Sequence, residues 1–197
     1  RGLGDVYKRQ TFDSGGSSAE LRRAFDMPAV GDIRARIMAL ADRSLEGNPE
    51  IVELLGYRLP KDAGPEALHR ELASLASGAH PLVAAIPEPM NEVVTQHLSA
   101  FRSLMPVDMD LAGASIGNLI LTSGYLSLDR QLEPVVRVFS GMVQARGVVM
   151  PVADSCAHLC VRLENGEVIV GQHRFTGKTA TAITSPIHDM WLSASLD

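Results

Sequence analysis

Thr11-Phe12-Asp13-Ser14-Gly15-Gly16-Ser17-Ser18-Ala19-Glu20-Leu21 is the stretch from which the fold can be read. Thr11-Phe12 has the character of a strand end. The paired glycines tolerate positive φ and so suit a tight turn. Ser17 followed three residues later by Glu20 is a capping box, which predicts a helix starting there. Strand, turn and helix in this order present backbone N–H groups and two hydroxyls at a helix N-terminus, a combination that suits a phosphate or diphosphate. Asp13, at the strand's C-terminal end, could hold a ribose hydroxyl or a divalent cation. The alternative is a capped surface turn with a solvated aspartate, and spacing alone does not choose between them.

Downstream, Pro28 and Gly31 close the first helix and Asp32 stands as the expected N-cap of a second, whose apolar residues Ile33, Ile37, Leu40 and Ala41 keep helical spacing. The middle third predicts helices after Asn48-Pro49, over Pro65 to Ala76 with Gly78 beyond, and over Pro89 to Met105. Pro106 to Leu111 reads as a short strand or loop. It leads into Gly113-Ala114-Ser115-Ile116-Gly117-Asn118-Leu119, a second glycine-containing entrance to an apolar helix reaching about Leu126. Leu132 to Ala145 is amphipathic. The pattern then changes to strands at Val148–Val152, Ala157–Leu163 and Glu167–Gly171, the last two joined at Asn165-Gly166, a strong hairpin signal. Ala182 to Leu192 is strand-like again.

The 197 residues carry a formal net charge of -5, with 46% hydrophobic and 21% charged residues, an ordinary globular composition compatible with a sizeable core. Nucleic acid is a poor partner for such a chain, because backbone binding relies on clustered Lys and Arg. No apolar run approaches the roughly 18 residues of a spanning helix, so no membrane partner is expected. Two cysteines, Cys156 and Cys160, are too few for a disulfide framework and suit a reducing cytoplasm. Residues 1–10 lack any periodicity joining them to the rest of the chain and read as a non-native scar. Residues 11–197 are expected to be one partial domain truncated at both ends.

Four ordered blocks carry a family resemblance. Asp13 to Arg22, then Pro28-Ala29-Val30-Gly31-Asp32-Ile33-Arg34, then Gly113 to Leu119, then Val149–Val152 with Leu163–Gly171 together resemble the blocks of CofD/YvcK-like proteins. The resemblance implies an α/β fold: a three-layer αβα, Rossmann-like core, here with a helical middle segment and a late β-hairpin. One branch of the family contains magnesium-dependent 2-phospho-L-lactate transferases, which use a guanosine-diphosphate-linked donor. The other contains UDP-sugar-binding regulators of central carbon and cell-wall metabolism. The expected partner is accordingly a GDP- or UDP-linked small molecule, with a homo-oligomer left open. Phosphate- or ligand-binding positions implied are Asp13, Ser14, Gly15, Gly16, Ser17, Ser18, Asp32, Arg34, Gly113, Ser115, Gly117 and Asn118, with magnesium on Asp13. The turn and the Gly113–Asn118 segment would face each other across a crevice.

Departures from the pattern bear on chemistry. The second aspartate of the family's Asp-Asp pair is Ser14, and the histidine-containing start of its Gly-His-x-x-Gly-Asn-Leu block is Ala114-Ser115, so any charge or proton supplied there is lost. Asp32 and Arg34 have bland readings as a cap and a solvated helix residue, and Ser115 and Asn118 as capping groups beside glycines that allow close helix packing. Arg34 could instead clamp a phosphate in bidentate fashion. Cys156, His158 and Cys160 alternate and would share one face of a strand, yet a structural zinc needs about four ligands and no second pair lies at useful spacing. Apolar packing by the cysteines is the expected outcome. No Gly-x-Ser-x-Gly elbow supports a serine hydrolase.

Overall fold

The computed structural model describes residues 16–44, 47–151, 156–175 and 183–194. Asp13, Ser14 and Gly15, together with the strand expected at Thr11-Phe12, lie outside the described residues, as does the side chain of Ser17. The helices are α1 (Gly16–Phe25), α2 (Gly31–Leu40), α3 (Pro49–Gly56), α4 (Pro65–Ala76), α5 (Pro81–Ala84), α6 (Met90–Leu104), α7 (Ile116–Ser127) and α8 (Leu132–Met142). The strands are β1 (His158–Leu163), β2 (Val168–Val170) and β3 (Ile187–Ser193).

Helix α7 organises the helical part because it has no outward face. Every residue from Ile116 to Tyr125 is buried, the behaviour of a helix apolar all round and surrounded by others. It packs against α1, α2, α3, α6 and α8. Such crowding needs small residues at the crossings. A Cβ on Gly117 would lie 2.6 Å from the Leu55 carbonyl oxygen and 2.7 Å from Arg34 Cδ, and one on Gly124 would lie 2.7 Å from Val135 Cγ1 of α8. Around α7 the core is filled by Phe101 and Leu98 of α6, Phe139 of α8, and Leu54 and Leu55 of α3.

The ends of α2 and α8 are clamped together. Asp42 N–H donates to Val143 O at 3.0 Å, Arg146 N–H donates to Leu40 O at 2.8 Å, and Arg146 Nη2 donates to Asp42 Oδ1 at 2.8 Å. The Ser44 backbone N–H and the Arg146 guanidinium hold the Asp42 carboxyl down at about 2.

The three strands form one sheet of order β2-β1-β3, antiparallel throughout. The hairpin closes at Asn165-Gly166 as the sequence predicts. Gly166 adopts φ +87°, Gly166 N–H donates to Leu163 O at 2.9 Å, and Glu167 N–H donates to Asn165 Oδ1 at 3.0 Å. β3 adds to the far side of β1, with Cys160 opposite Trp191 and Arg162 opposite Asp189. The sheet is tied to the helices by Arg22 of α1, whose Nη2 donates to Ala157 O at 2.8 Å. Mixed helix and sheet give the α/β class, with the helical middle segment and late hairpin in place.

Several local expectations are corrected. Asp32 is not the N-cap: α2 begins at Gly31, the cap is Val30 without a side-chain bond, and Asp32 sits in the first turn, where its carboxylate favours the positive end of the helix. The capping box is displaced too. α1 starts at Gly16, so Ser17 lies inside it, and Glu20 bonds Arg23 at 2.8 Å. Val148 to Pro151 is unpaired, although it alternates as a strand would, with Val148 and Met150 exposed and Val149 against the core. The strand expected from Ala182 pairs from Ile187, and α5 was not foreseen because four residues give no period to read.

The packing and the clamp each set an expected stability outcome. Gly117→Ala is expected to cost about 1–3 kcal/mol in urea unfolding, because the opposing atom is a backbone carbonyl that cannot rotate away. Gly141→Ala, inside α8 with nothing within 4 Å, serves as the control without a clash and should not destabilise. Because the Asp42 pKa is depressed on folding, its contribution is complete above about pH 4 and disappears as pH falls through about 2. Asp42→Asn should therefore flatten the pH dependence of stability across that window, measured by denaturant melts.

Candidate functional site

Three helix N-termini meet at one point. Ser18 is the third residue of α1, Gly31 the first of α2 and Asn118 the third of α7. Ser18 Oγ lies 2.7 Å from where a Cβ on Gly31 would stand, and Asn118 Nδ2 lies 3.8 Å from it. Glycine at 31 is what lets the first turns of α1 and α7 close onto the start of α2. Ser18 and Asn118 are 4% and 2% exposed, so both are polar groups set inside the junction rather than on its surface. Asp32 is the one acidic residue in the first turns of these three helices. Aligned peptide dipoles therefore make this junction electropositive.

The Gly113–Asn118 segment divides into two roles. Tyr57 to Leu59 runs beside it as an isolated antiparallel bridge, in which Leu59 N–H donates to Ala114 O at 2.9 Å and Ile116 N–H donates to Tyr57 O at 3.0 Å. Asn118 and Leu119 N–H groups both return to Ser115 O. Most of the α7 N-terminal donors are thus satisfied by backbone, and Gly117 is wedged against Arg34 and Leu55. Ser115 is the N-cap residue by position, but its side chain makes no cap hydrogen bond. Fully buried, its Oγ has no partner among the described residues.

Gly113, at φ +68°, faces a cavity of about 340 Å³ lined also by Glu20 and Leu21 of α1, Leu119 of α7, and Arg58 and Lys61. The α1 and Gly113 segments thus both contribute residues to the wall of this cavity. Arg34 commits one arm of its guanidinium inside the fold. Its Nη1 donates to Leu55 O at 3.1 Å and lies 3.3 Å from Met38 Sδ, so it ties α2 to α3. Burial, and then the charge of Arg58, lower its pKa.

Arg58 and Lys61 were missed by sequence reasoning. They follow α3 in a segment without any motif, and only the bridge to Ser115 brings them to Gly113. Their one legible signal is the pair of basic residues three apart. At the sheet joint, Arg22 Nη2 stands 3.4 Å from His158 Nδ1 and 3.8 Å from Cys156 Sγ. Burial, reinforced by Arg22, lowers the His158 pKa, and burial raises that of Cys156. Cys160 is buried as an apolar residue. Among the described residues no three His, Cys, Asp or Glu side chains gather into a metal site. The magnesium expected on Asp13 rests on a residue outside them, and Asp32 alone does not supply it.

A family model described as 2-phospho-L-lactate transferase CofD matches residues 10–196. The chain is 32% identical over 184 residues to the Saccharomyces cerevisiae protein YNL011C, described as uncharacterized, covering 87% of this chain and 39% of that one. It is 23% identical over 167 residues to a putative gluconeogenesis factor of Thermotoga maritima, covering 84% and 36%. Identity to the gluconeogenesis factor of Listeria monocytogenes is 26% over 160 residues, covering 81% and 34%. The chain thus spans 34% to 39% of the length of these relatives. The crystal structure of BH3568, a UPF0052 family member from Bacillus halodurans, matches with a TM-score of 0.57 at 21% identity, over 93% of this chain and 41% of that one. No described helix is long and apolar enough to cross a membrane. With residues of three ordered sequence blocks gathered at one helix junction and the family match running over residues 10–196, the chain belongs to the CofD family.

Proposed function

We propose that this chain supplies a phosphate-binding wall for a nucleotide-diphosphate-linked metabolite, and that the metabolite's phosphate sits at the junction of α1, α2 and α7. The convergence of three helix N-termini on Gly31 carries this reading. Each N-terminus presents the equivalent of about half a positive charge, and three sharing one point favour an anion more than any one would. Ser18 and Asn118 add neutral hydrogen-bonding groups that suit phosphate oxygens without demanding a counter-charge.

The activity proposed is phosphotransfer of the 2-phospho-L-lactate transferase type, the description attached to the matching family model. In that chemistry a hydroxyl of the acceptor attacks the phosphorus of the donor and the nucleotide leaves. The residues here would contribute by orienting the phosphate and stabilising the charge that builds on its oxygens. Magnesium on Asp13 belongs to the proposal as an offset to diphosphate charge; no step is assigned to it. A second reading, a non-enzymatic regulator that binds a UDP-sugar, is favoured by the relatives described as gluconeogenesis factors and by Ser14 in place of a second carboxylate.

GDP- and UDP-linked ligands, each with magnesium, test the reading on the protein. Transfer of a phosphorus-containing group to an acceptor would exclude the pure sensor; tight UDP-sugar binding without turnover would remove the transferase. In either case Ser18→Ala is expected to weaken ligand binding by about 10- to 150-fold, the effect of losing one hydrogen bond to a charged group, as measured by calorimetry. Unchanged affinity in a folded Ser18→Ala protein would place the phosphate elsewhere.

A further inference from the structure

The sheet does not share the core that encloses α7. Its buried apolar residues form two small clusters of their own, Ala157 with Leu159 and Val161 with Leu163 and Ile169, each packed against Phe175. Leu21 and Met27, beside the sheet in space, belong instead to the large helical core. Polar contacts join the two parts: Arg22 Nη2 donates to Ala157 O at 2.8 Å, and Cys156 Sγ donates to Met27 O at 3.4 Å. With the apolar clusters separate, the seat of the sheet depends on the state of the polar groups at this joint.

One of those groups titrates near neutrality. His158 is the first residue of β1, and its Nδ1 stands 3.4 Å from Arg22 Nη2. A guanidinium only donates, so the contact requires Nδ1 to accept and the ring to be neutral, with its proton on Nε2. Protonation inverts the contact: Nδ1 then carries a hydrogen and a positive charge toward the Arg22 cation. Among the described residues, the titratable and charged groups facing His158 are Arg22 of α1, Asp26 just beyond it, and Cys156, which lies 3.8 Å from the same guanidinium nitrogen. Across the ladder on β3 stands Ser193, which carries no charge. Burial and then Arg22 hold the His158 pKa below its ordinary value, and Asp26 opposes them.

We propose that His158 is a proton-operated catch that seats the sheet on α1. Neutral, it accepts from Arg22 and the sheet stays docked; protonated, it repels Arg22 and the Ala157–His158 stretch leaves the helix. Once released, the ring returns to water and to its ordinary pKa of about 6.5. The released form therefore takes up the proton more readily than the seated form, so seating is at full strength above about pH 6.5 and weakens as pH falls below it. Mild acidification thus alters how the sheet sits on the helix that also carries Ser18. The catch operates whether or not a phosphate occupies the helix junction.

Nuclear magnetic resonance on the 197-residue chain, titrated between about pH 8 and 5, reads the His158 ring and the through-space contacts between Arg22 and Ala157 together. Those contacts are expected to weaken several-fold with a midpoint that follows the His158 titration. The Phe25–Phe101 ring contact, which reports the helical core, should persist. His158→Asn places an amide oxygen near the position of Nδ1 and does not titrate, so it should keep the contacts at both ends of the range. Asp26→Asn suits the positive φ of +46° at that position and removes the carboxylate that favours protonated His158 in the seated form, so it should deepen the acid loss. Contacts that hold unchanged through the His158 titration overturn the catch. An acid loss that survives in His158→Asn also overturns it, because another group, such as His97, is then responsible. If His158→Asn is loose at every pH, Asp26→Asn decides: a deeper acid loss supports the catch and an unaltered one refutes it.

Discussion

Everything in the helical part of this protein depends on burying α7 on all sides. A helix with Ile116 to Tyr125 out of water cannot be accommodated by one neighbour, and five helices close around it. Close approach then selects small residues at the contacts, which is why Gly117 meets a carbonyl of α3 and Gly124 meets a valine of α8. Hydrophobic burial supplies the drive, and the absence of side chains at two positions sets how near the partners come.

The site follows from the same constraint. Once α7 is surrounded, its first turn has to abut the starts of α1 and α2, so positive helix ends are brought together as a result of packing. Gly31 is the point at which this is sterically possible. The α7 entrance is itself mostly satisfied by Tyr57 and Ser115 carbonyls, so the electropositive character resides in the junction as a whole. The buried hydroxyl of Ser115, unpartnered among the described residues, marks how closely apolar packing and polar function are interleaved there.

Arg22 joins the two structural halves. It belongs to the same sequence block as Ser18, yet its guanidinium reaches Ala157 just before β1, so the helix that opens the junction also carries the sheet. At 7% exposure the Arg22 charge depends on the acceptors it keeps, because withdrawing one from a buried cation is costly, and this gives the sheet a defined seat. Movement of the sheet would be felt at α1 through Arg22.

The sequence by itself determined what depends on local order. Pro65 and Gly78 bracket α4, Asn165-Gly166 makes the hairpin because only certain residues tolerate the turn's backbone, and the ordered blocks identify the family. It also pointed to Ser18, Gly31 and Asn118 as parts of separate motifs. Three things were decided only by the tertiary structure. The motifs meet through contacts between segments far apart in the chain, which no period or cap encodes. Arg34 Nη1 donates to Leu55 O and so ties α2 to α3. Arg58 and Lys61 join the site through a backbone bridge to Ser115. Long-range packing chooses such neighbours by shape and burial, and a linear reading of spacing carries no information about either.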